Sequence, residues 1–176
     1  MGRIGTNVAR IAKHGFSMEV LAYDPHLPEE RFASFGVEPV QDLNDLLPRV
    51  DFLTLHLPLI DETRGIIGPN ELDLMKKTAV LVNAARGGLV DEFALAEALS
   101  QGRLRAAALD VFDDEPPSAT SPLFKAPNLL LTPHMAAHTE EAMHRMAMGA
   151  AERIIEVLQG GPPRDVVNPD YRHFTS

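Results

Sequence analysis

The residues Gly2-Arg3-Ile4-Gly5 run directly into a helical pattern over Thr6–His14, and the apolar run Met18–Tyr23 that follows ends at Asp24. Gly2 and Gly5 have the spacing of the second and third glycines of a dinucleotide-binding fingerprint, G-x-G-x-x-G. Asp24 follows Gly5 by about 20 residues, where that fingerprint carries an acidic residue. The stretch therefore predicts a Rossmann-type, doubly wound α/β fold.

The rest of the chain repeats this alternation of short apolar runs and helical patterns, which is typical of a parallel sheet with crossover helices. Further strands are predicted at Val37–Val40, Phe52–Leu57, Ala79–Val82, Ala106–Leu109 and Leu129–Leu131. Further helices are predicted at Pro69–Met75, Asp91–Ser100 and Thr139–Leu158, and Gly15 is expected to end the first helix. We expect one dinucleotide-binding domain over residues 1–163 and a polar tail over residues 164–176.

A central strand normally precedes the glycine loop in a Rossmann sheet, whose strand order is 3-2-1-4-5-6. Numbering starts at Met1, so neither that strand nor the first glycine of the fingerprint is present in the sequence. We therefore expect a domain whose first strand is missing, truncated at its amino end.

Composition narrows the classes of function. The 176 residues carry a net charge of −9 without a Lys/Arg run, which argues against a nucleic-acid or anionic-membrane surface. Cysteine is absent, which excludes disulfides and thiolate chemistry and is compatible with a cytoplasmic location. No apolar stretch reaches the length of a membrane span. His134 and His138 are four residues apart, but their loop setting argues against a zinc pair, so no metal is expected.

The glycine loop predicts how a dinucleotide would bind. Gly2, Arg3 and Ile4 lie at the amino end of the first helix, where amides and the helix dipole favour a pyrophosphate. Asp24 would accept hydrogen bonds from ribose hydroxyls and repel a 2′-phosphate, which favours NAD over NADP. Two glycines alone also suit an ordinary helix-entry turn, and a lone aspartate an ordinary turn.

Polar residues that follow the later strands predict the reaction. Arg86, Asp110 and His134 closely follow apolar runs, and Glu115 lies in the loop after Asp110. Residues beyond the carboxyl ends of parallel strands border the ligand crevice. Arg86 can pair with a substrate carboxylate and polarise a carbonyl. His134 can exchange the hydroxyl proton, with Glu115 orienting the imidazole and stabilising its charged form.

Taken singly, each of these residues also suits a structural role. Arg86 fits a surface position before a Gly-Gly turn, and Glu115 fits a solvated loop carboxylate. His134 fits a capping or structural position. The individual residues therefore leave both interpretations open.

The chain resembles the D-isomer-specific 2-hydroxyacid dehydrogenase family. The matching stretches are, in order, GRIG, AYDP, LHLPL with ETRGIIG, VNAARGGLVDE, ALDVFDDEPP and TPHMAAHT. The resemblance implies that NAD is the cofactor and that a 2-hydroxy or 2-keto acid is the substrate. It implies catalytic roles for Arg86, Glu115 and His134, and a homodimer formed through the cofactor domain. The cofactor-binding positions that it implies are Gly2, Arg3, Ile4, Asp24, Pro58, Thr63, Ala84, Arg86, Asp110 and His134.

The family also has a substrate domain, formed from residues that precede the cofactor domain together with the carboxyl-terminal tail. We expect that substrate domain to be largely absent from this chain, although Val166-Val167-Asn168-Pro169 resembles the family's usual ending. Two alternatives to an oxidoreductase therefore stay open. One is a non-catalytic module that senses NAD, similar to the related corepressors, and the other is an inactive fragment.

Overall fold

The strands pair in two parallel sheets within residues 1–164 and 166–167, the part of the chain that the computed structural model describes. The strands are β1 (Leu21–Ala22), β2 (Glu38–Pro39), β3 (Phe52–Leu55), β4 (Val80–Asn83), β5 (Ala106–Leu109) and β6 (Leu129–Leu131). The helices are α1 (Arg3–Phe16), α2 (Glu29–Phe35), α3 (Leu43–Leu46), α4 (Pro69–Leu74), α5 (Glu92–Ser100) and α6 (Glu140–Leu158), with 3₁₀ turns at Asp61–Thr63 and Pro122–Lys125.

The larger sheet has the strand order β3-β4-β5-β6, and the smaller one pairs β1 with β2. In the larger sheet Asn83 lies opposite Leu109, and Leu109 opposite Leu131. Three neighbouring strands therefore end at the same level. The predicted parallel α/β fold is confirmed. Among the described residues, β1 pairs only with β2, and β3 only with β4.

Parallel neighbours need a crossover connection, and helices supply two of them. The helix α4 joins β3 to β4, and α5 joins β4 to β5. The helix α5 packs against α4 and against the 3₁₀ turn Pro122–Lys125, which lies between β5 and β6. The side chain of Asp91 caps α5 by accepting a hydrogen bond from the Ala94 N–H at 2.9 Å.

The core around the larger sheet contains many leucines, which lie on the strands and crossover helices predicted from the sequence. Leu81 on β4 and Leu95 on α5 are fully buried, as is Leu72 on α4. Burying one such side chain stabilises the fold by about 1.5–3 kcal/mol. Six of the nine residues of α5 are apolar, and five of the nine are buried, as expected for a helix that packs on more than one side.

Several element boundaries differ from the sequence prediction. The helix α1 runs through Gly15 to Phe16, and the prediction that Gly15 ends it was wrong. Ser17 takes the left-handed cap instead, with φ of 55°, and the Met18 N–H donates to the Ala12 carbonyl at 3.1 Å. β1 is shorter than the predicted Met18–Tyr23, because its only described partner, β2, is itself two residues long.

Two features were not predicted. The short helices α2 and α3 lie where no helix was expected, since neither is long enough to show a periodic apolar stripe. The alternating burial of β3, with Phe52 58% exposed and Leu53 buried, was also not predicted.

The chain divides into two compact units, Met1–His134 and Met135–Ser176. The second contains α6, whose predicted position is confirmed and whose first turn is capped by Thr139, which accepts from the Ala142 N–H at 3.1 Å. No helix in the described residues combines the length and the apolar character needed to cross a membrane. Of the predicted tail and its family-like ending, residues 165 and 168–176 lie outside the described residues.

Candidate cofactor and catalytic site

The site is organised by the aligned ends of β4, β5 and β6. Arg86 follows β4, Asp110 directly follows β5, and His134 follows β6. Because Asn83, Leu109 and Leu131 are in register, the loops that leave these strands begin side by side. The structure therefore brings together the three loops on which the sequence placed the reaction.

His134 and Glu115 form a direct hydrogen bond. Nδ1 of His134 lies 2.8 Å from Oε2 of Glu115, and both side chains are exposed to solvent. An ionised carboxylate only accepts hydrogen bonds, so Nδ1 carries the proton in this pair. In the neutral imidazole, Nε2 is then the atom that can accept a further proton.

Glu115 is held at both of its oxygens. Its second oxygen, Oε1, accepts from the Phe112 N–H at 3.1 Å. The hydrogen bond to His134, followed by that from the Phe112 N–H, lowers the pKa of the Glu115 carboxyl below its ordinary value. Both contacts favour the ionised form, which is the form that orients a protonated Nδ1.

The backbone at His134 is in the left-handed region. Its φ is 53°, a conformation that side-chain-bearing residues adopt infrequently. The His134 N–H donates to the Thr132 carbonyl at 3.1 Å, which closes a tight turn around Pro133. Strained backbone of this kind is concentrated at functional sites, where surrounding contacts hold it in place.

The loop that carries Arg86 is fastened by Asn83, a buried polar residue at the end of β4. The Asn83 side chain donates to the Arg86 carbonyl at 2.9 Å and accepts from the Ala85 N–H at 3.1 Å. The guanidinium of Arg86 is exposed and donates to the Ala85 carbonyl at 2.6 Å. Ala84, expected to line the cofactor, lies exposed in the same loop.

Gly87 links the Arg86 loop to the Glu115 loop. A Cβ added at Gly87 would lie 1.8 Å from the carbonyl oxygen of Phe112, so only glycine fits this close approach. The same Phe112 donates its N–H to Glu115. One residue, Phe112, therefore separates the loop of the arginine from the carboxylate that holds the histidine: its carbonyl meets Gly87 and its N–H donates to Glu115.

Asp110 is a nearly buried carboxylate in the middle of the three loops. It is 6% exposed, and its N–H donates to the Asn83 carbonyl at 2.9 Å. Its Oδ1 accepts from the Thr132 hydroxyl at 2.5 Å. Asp110 thus contacts residues at the ends of both neighbouring strands.

The glycine loop and Asp24 are also brought together. The amino group of Met1 forms an ion pair with Asp24, whose other oxygen accepts from the His26 N–H at 3.1 Å. Gly2 provides no side-chain cap for α1, and an added Cβ there would meet nothing within 4 Å. A cavity of about 210 Å³ beside Asp24 is lined by Tyr23, Pro25, Leu27, Glu29, Phe32, Val40 and Gln41.

These donors suit a dinucleotide. The open amides at the start of α1 are complementary to a pyrophosphate, and Asp24 is complementary to ribose hydroxyls. Thr63 is fixed by donating to the Pro58 carbonyl at 2.7 Å, so these two predicted positions are in contact. Among residues 1–164 and 166–167, no group of three His, Asp or Glu side chains could hold a metal ion.

Sequence reasoning missed the residues that hold the site in place, namely Asn83, Gly87, Phe112 and Thr132. It also missed His56, which packs against Gly5 and shares a 3.0 Å hydrogen bond with Thr54. Burial, followed by the nearby amino terminus, lowers the pKa of His56. A polar residue ending a buried strand was the available signal for Asn83.

The fold and the arrangement of these side chains define a dinucleotide-binding α/β domain with a histidine–carboxylate pair at its strand ends. A family model for the D-isomer specific 2-hydroxyacid dehydrogenase NAD binding domain matches residues 1–136. The chain therefore belongs to the D-isomer-specific 2-hydroxyacid dehydrogenase family, as its motifs predicted, and its cofactor is NAD.

The relatives include two kinds of enzyme. The chain is 51% identical to the D-3-phosphoglycerate dehydrogenase of Methanocaldococcus jannaschii, over 96% of this chain and 32% of that protein. It is 48% identical to the glyoxylate reductase of Aeropyrum pernix, over 96% of this chain and 50% of that protein. The chain thus spans about a third of the first relative and half of the second.

A solved structure is similar over nearly the same share of this chain. The NAD-complexed D-isomer specific 2-hydroxyacid dehydrogenase from Lactobacillus delbrueckii ssp. bulgaricus aligns with a TM-score of 0.84 and 35% identity. The alignment covers 94% of this chain and 53% of that chain.

We expect Gly87→Ala to destabilise the protein, because the new methyl group would overlap the Phe112 carbonyl. Relief of that overlap requires a backbone shift, which costs about 1–3 kcal/mol of folding stability. Urea unfolding measures the change. Gly15→Ala is the control. A Cβ added at Gly15 would lie 3.8 Å from its nearest neighbour, and alanine favours the helix over glycine by up to about 1 kcal/mol. Equal changes in both variants would contradict the close approach.

The lowered pKa of Glu115 predicts a pH-dependent part of the stability. Because the folded pKa lies below the unfolded one, this part is fully present above the ordinary glutamate pKa and is lost as pH falls through the folded pKa. Between about pH 6 and about pH 3, the free energy of unfolding measured with urea should decline less steeply in Glu115→Gln than in the wild type. Glu19→Gln, at an exposed position, should keep the wild-type slope. Identical slopes in all three proteins would refute the assignment.

Proposed function

We propose that this chain provides the NAD-binding and catalytic side chains of an oxidoreductase that interconverts a D-2-hydroxy acid and its 2-keto acid. The observation that carries the proposal is the hydrogen bond between His134 and Glu115, beside the Arg86 loop at the ends of adjacent strands. That combination provides a proton acceptor, a residue that orients it and a cation for a carboxylate substrate.

In the oxidation direction, bound NAD would supply the acceptor for the hydride from C2 of the substrate. Nε2 of His134 takes the proton of the C2 hydroxyl, so that the C2–O bond becomes a carbonyl. Glu115 stabilises the resulting imidazolium through Nδ1, to which it is hydrogen-bonded at 2.8 Å. Arg86 pairs with the substrate carboxylate and so positions C2. In the reverse direction C2 would receive the hydride from the reduced cofactor, and the imidazolium returns its proton to the carbonyl oxygen.

The cofactor positions follow from the same geometry. Gly2, Arg3 and Ile4 would hold the pyrophosphate through backbone amides, and Asp24 the adenosine ribose. Pro58, Thr63 and Ala84 would line the bound dinucleotide, and Asp110 would face its nicotinamide end together with Arg86 and His134. The open start of α1 and the cavity beside Asp24 support the first half of this assignment.

Other expectations stay predictions. They are a cofactor domain over residues 1–163 with a tail over 164–176, a homodimer formed through the cofactor domain, and a cytoplasmic location. The substrate is a small 2-hydroxy or 2-keto acid, whose recognition would also require a substrate domain. Activity therefore has to be tested separately from cofactor binding.

We expect Asp24→Asn to weaken NADH binding by about tenfold, since a neutral amide is a poorer acceptor for two ribose hydroxyls. It should also reduce the preference for NADH over NADPH, because the repulsion of the 2′-phosphate is removed. Titration followed by nicotinamide fluorescence, with thermal stability measured in parallel, gives both affinities. Asp45→Asn, at an exposed position on α3, should bind like the wild type. Unchanged affinity and unchanged preference in Asp24→Asn would refute the ribose assignment.

We expect His134→Ala to lower the rate of NADH oxidation by glyoxylate by about 10²–10⁴-fold, because it removes the proton donor. NADH titration of the same variant separates the loss of turnover from any loss of cofactor binding. The loss of NADH absorbance measures turnover, and His144→Ala on α6 is the matched control at an exposed histidine.

The outcomes separate the candidate functions. Turnover by the wild type that disappears in His134→Ala supports an oxidoreductase. NADH binding without turnover of any 2-keto acid supports the NAD-sensing alternative. A wild-type chain that binds no NADH contradicts the proposal and favours an inactive fragment.

A further inference from the structure

Thr132 contacts both Asp110 and the turn that carries His134, although no role for it was predicted from the sequence. It follows β6 and is half-buried. Its hydroxyl donates to Oδ1 of Asp110 at 2.5 Å, and its carbonyl accepts from the His134 N–H at 3.1 Å. One residue thus joins the buried carboxylate to the turn that carries the histidine.

The hydroxyl and the backbone of Thr132 have separable roles. Its N–H donates to the Leu109 carbonyl at 3.0 Å, which continues the ladder between β5 and β6 beyond the last strand residue. These backbone bonds hold the turn whatever the side chain is. The hydroxyl acts on Asp110 alone among its described contacts, so its removal tests the carboxylate and leaves the ladder in place.

Asp110 needs such a partner because it is 6% exposed. A buried carboxylate is costly unless hydrogen bonds hold it, and those bonds also fix the direction of its oxygens. Since the Asp110 N–H is tied to the Asn83 carbonyl, its backbone is already fixed from the side of β4. The Thr132 hydroxyl supplies the restraint from the side of β6.

We propose that Thr132 is a positioning residue whose hydroxyl orients the Asp110 carboxylate toward the nicotinamide half of bound NAD. The inference rests on the proposed function, which assigns Asp110 to the nicotinamide end. Thr132 acts through Asp110 and need not touch the cofactor. Its removal therefore affects the binding of the nicotinamide ring and leaves the adenosine half, held at Asp24 and α1, unchanged.

The experiment compares two ligands that differ only in that ring. ADP-ribose contains the adenosine, the pyrophosphate and the second ribose of NADH, but no nicotinamide. In Thr132→Val, which keeps the side-chain shape, NADH affinity should fall by about tenfold, the typical effect of losing a hydrogen bond to a charged group. ADP-ribose affinity should stay within about twofold of the wild type. Calorimetric titration measures both.

Two further variants test the assignment. Thr132→Ser retains the hydroxyl and should restore NADH affinity to within about threefold of the wild type. Thr78→Val makes the same change at an exposed threonine and should alter neither affinity. The NADH fluorescence of each complex gives a second readout, because it reports the surroundings of the ring and not overall folding.

Each result has one meaning. Loss of NADH affinity alone in Thr132→Val, with recovery in Thr132→Ser, supports the inference. Equal losses for both ligands would indicate a general structural role and overturn it, as would no loss for either ligand. If the wild type binds ADP-ribose and NADH but Thr132→Val shows one of these overturning patterns, the inference fails and the proposed function survives. A wild type that binds neither ligand refutes the proposed function and the inference with it.

Discussion

The register between β4, β5 and β6 is the constraint on which the rest of the site depends. Asn83, Leu109 and Leu131 are aligned across three parallel strands, so the backbone leaves the sheet at one level in each. The contacts of Asp110 with Asn83 and with Thr132 join the loops just beyond that level. A slip of one residue would turn each strand's side chains to the opposite face and separate Asp110 from Thr132.

The site is held mainly by backbone groups and by uncharged side chains. Asn83 fastens one loop through its amide, and the Phe112 N–H fastens the Glu115 carboxylate. Such contacts fix the geometry of the loops without adding charged groups of their own. The side chains of Arg86, Glu115 and His134 are exposed, whereas the Asp110 carboxylate is nearly buried.

The strands and crossover helices were predictable because their apolar runs are short and bounded by turn residues. β5 and β6 were predicted with their observed bounds, and the motifs identified the family. The roles of Asn83 and Thr132 were not predictable, because they depend on which residues the register places opposite each other. The end of α1 was mispredicted because Ser17, and not glycine, adopts the left-handed cap. The proposed site residues stay predictions, although the structure gathers the three reaction loops at one edge.

The close approach of Gly87 to Phe112 limits how this site can be re-engineered. The Arg86 loop and the Glu115 carboxylate both contact the backbone of Phe112, so neither loop can be lengthened or transplanted alone. A designer who wished to move this chemistry to another scaffold would have to transfer both loops as one block, together with the His134 turn. Changes of substrate preference would be easier to introduce outside this block.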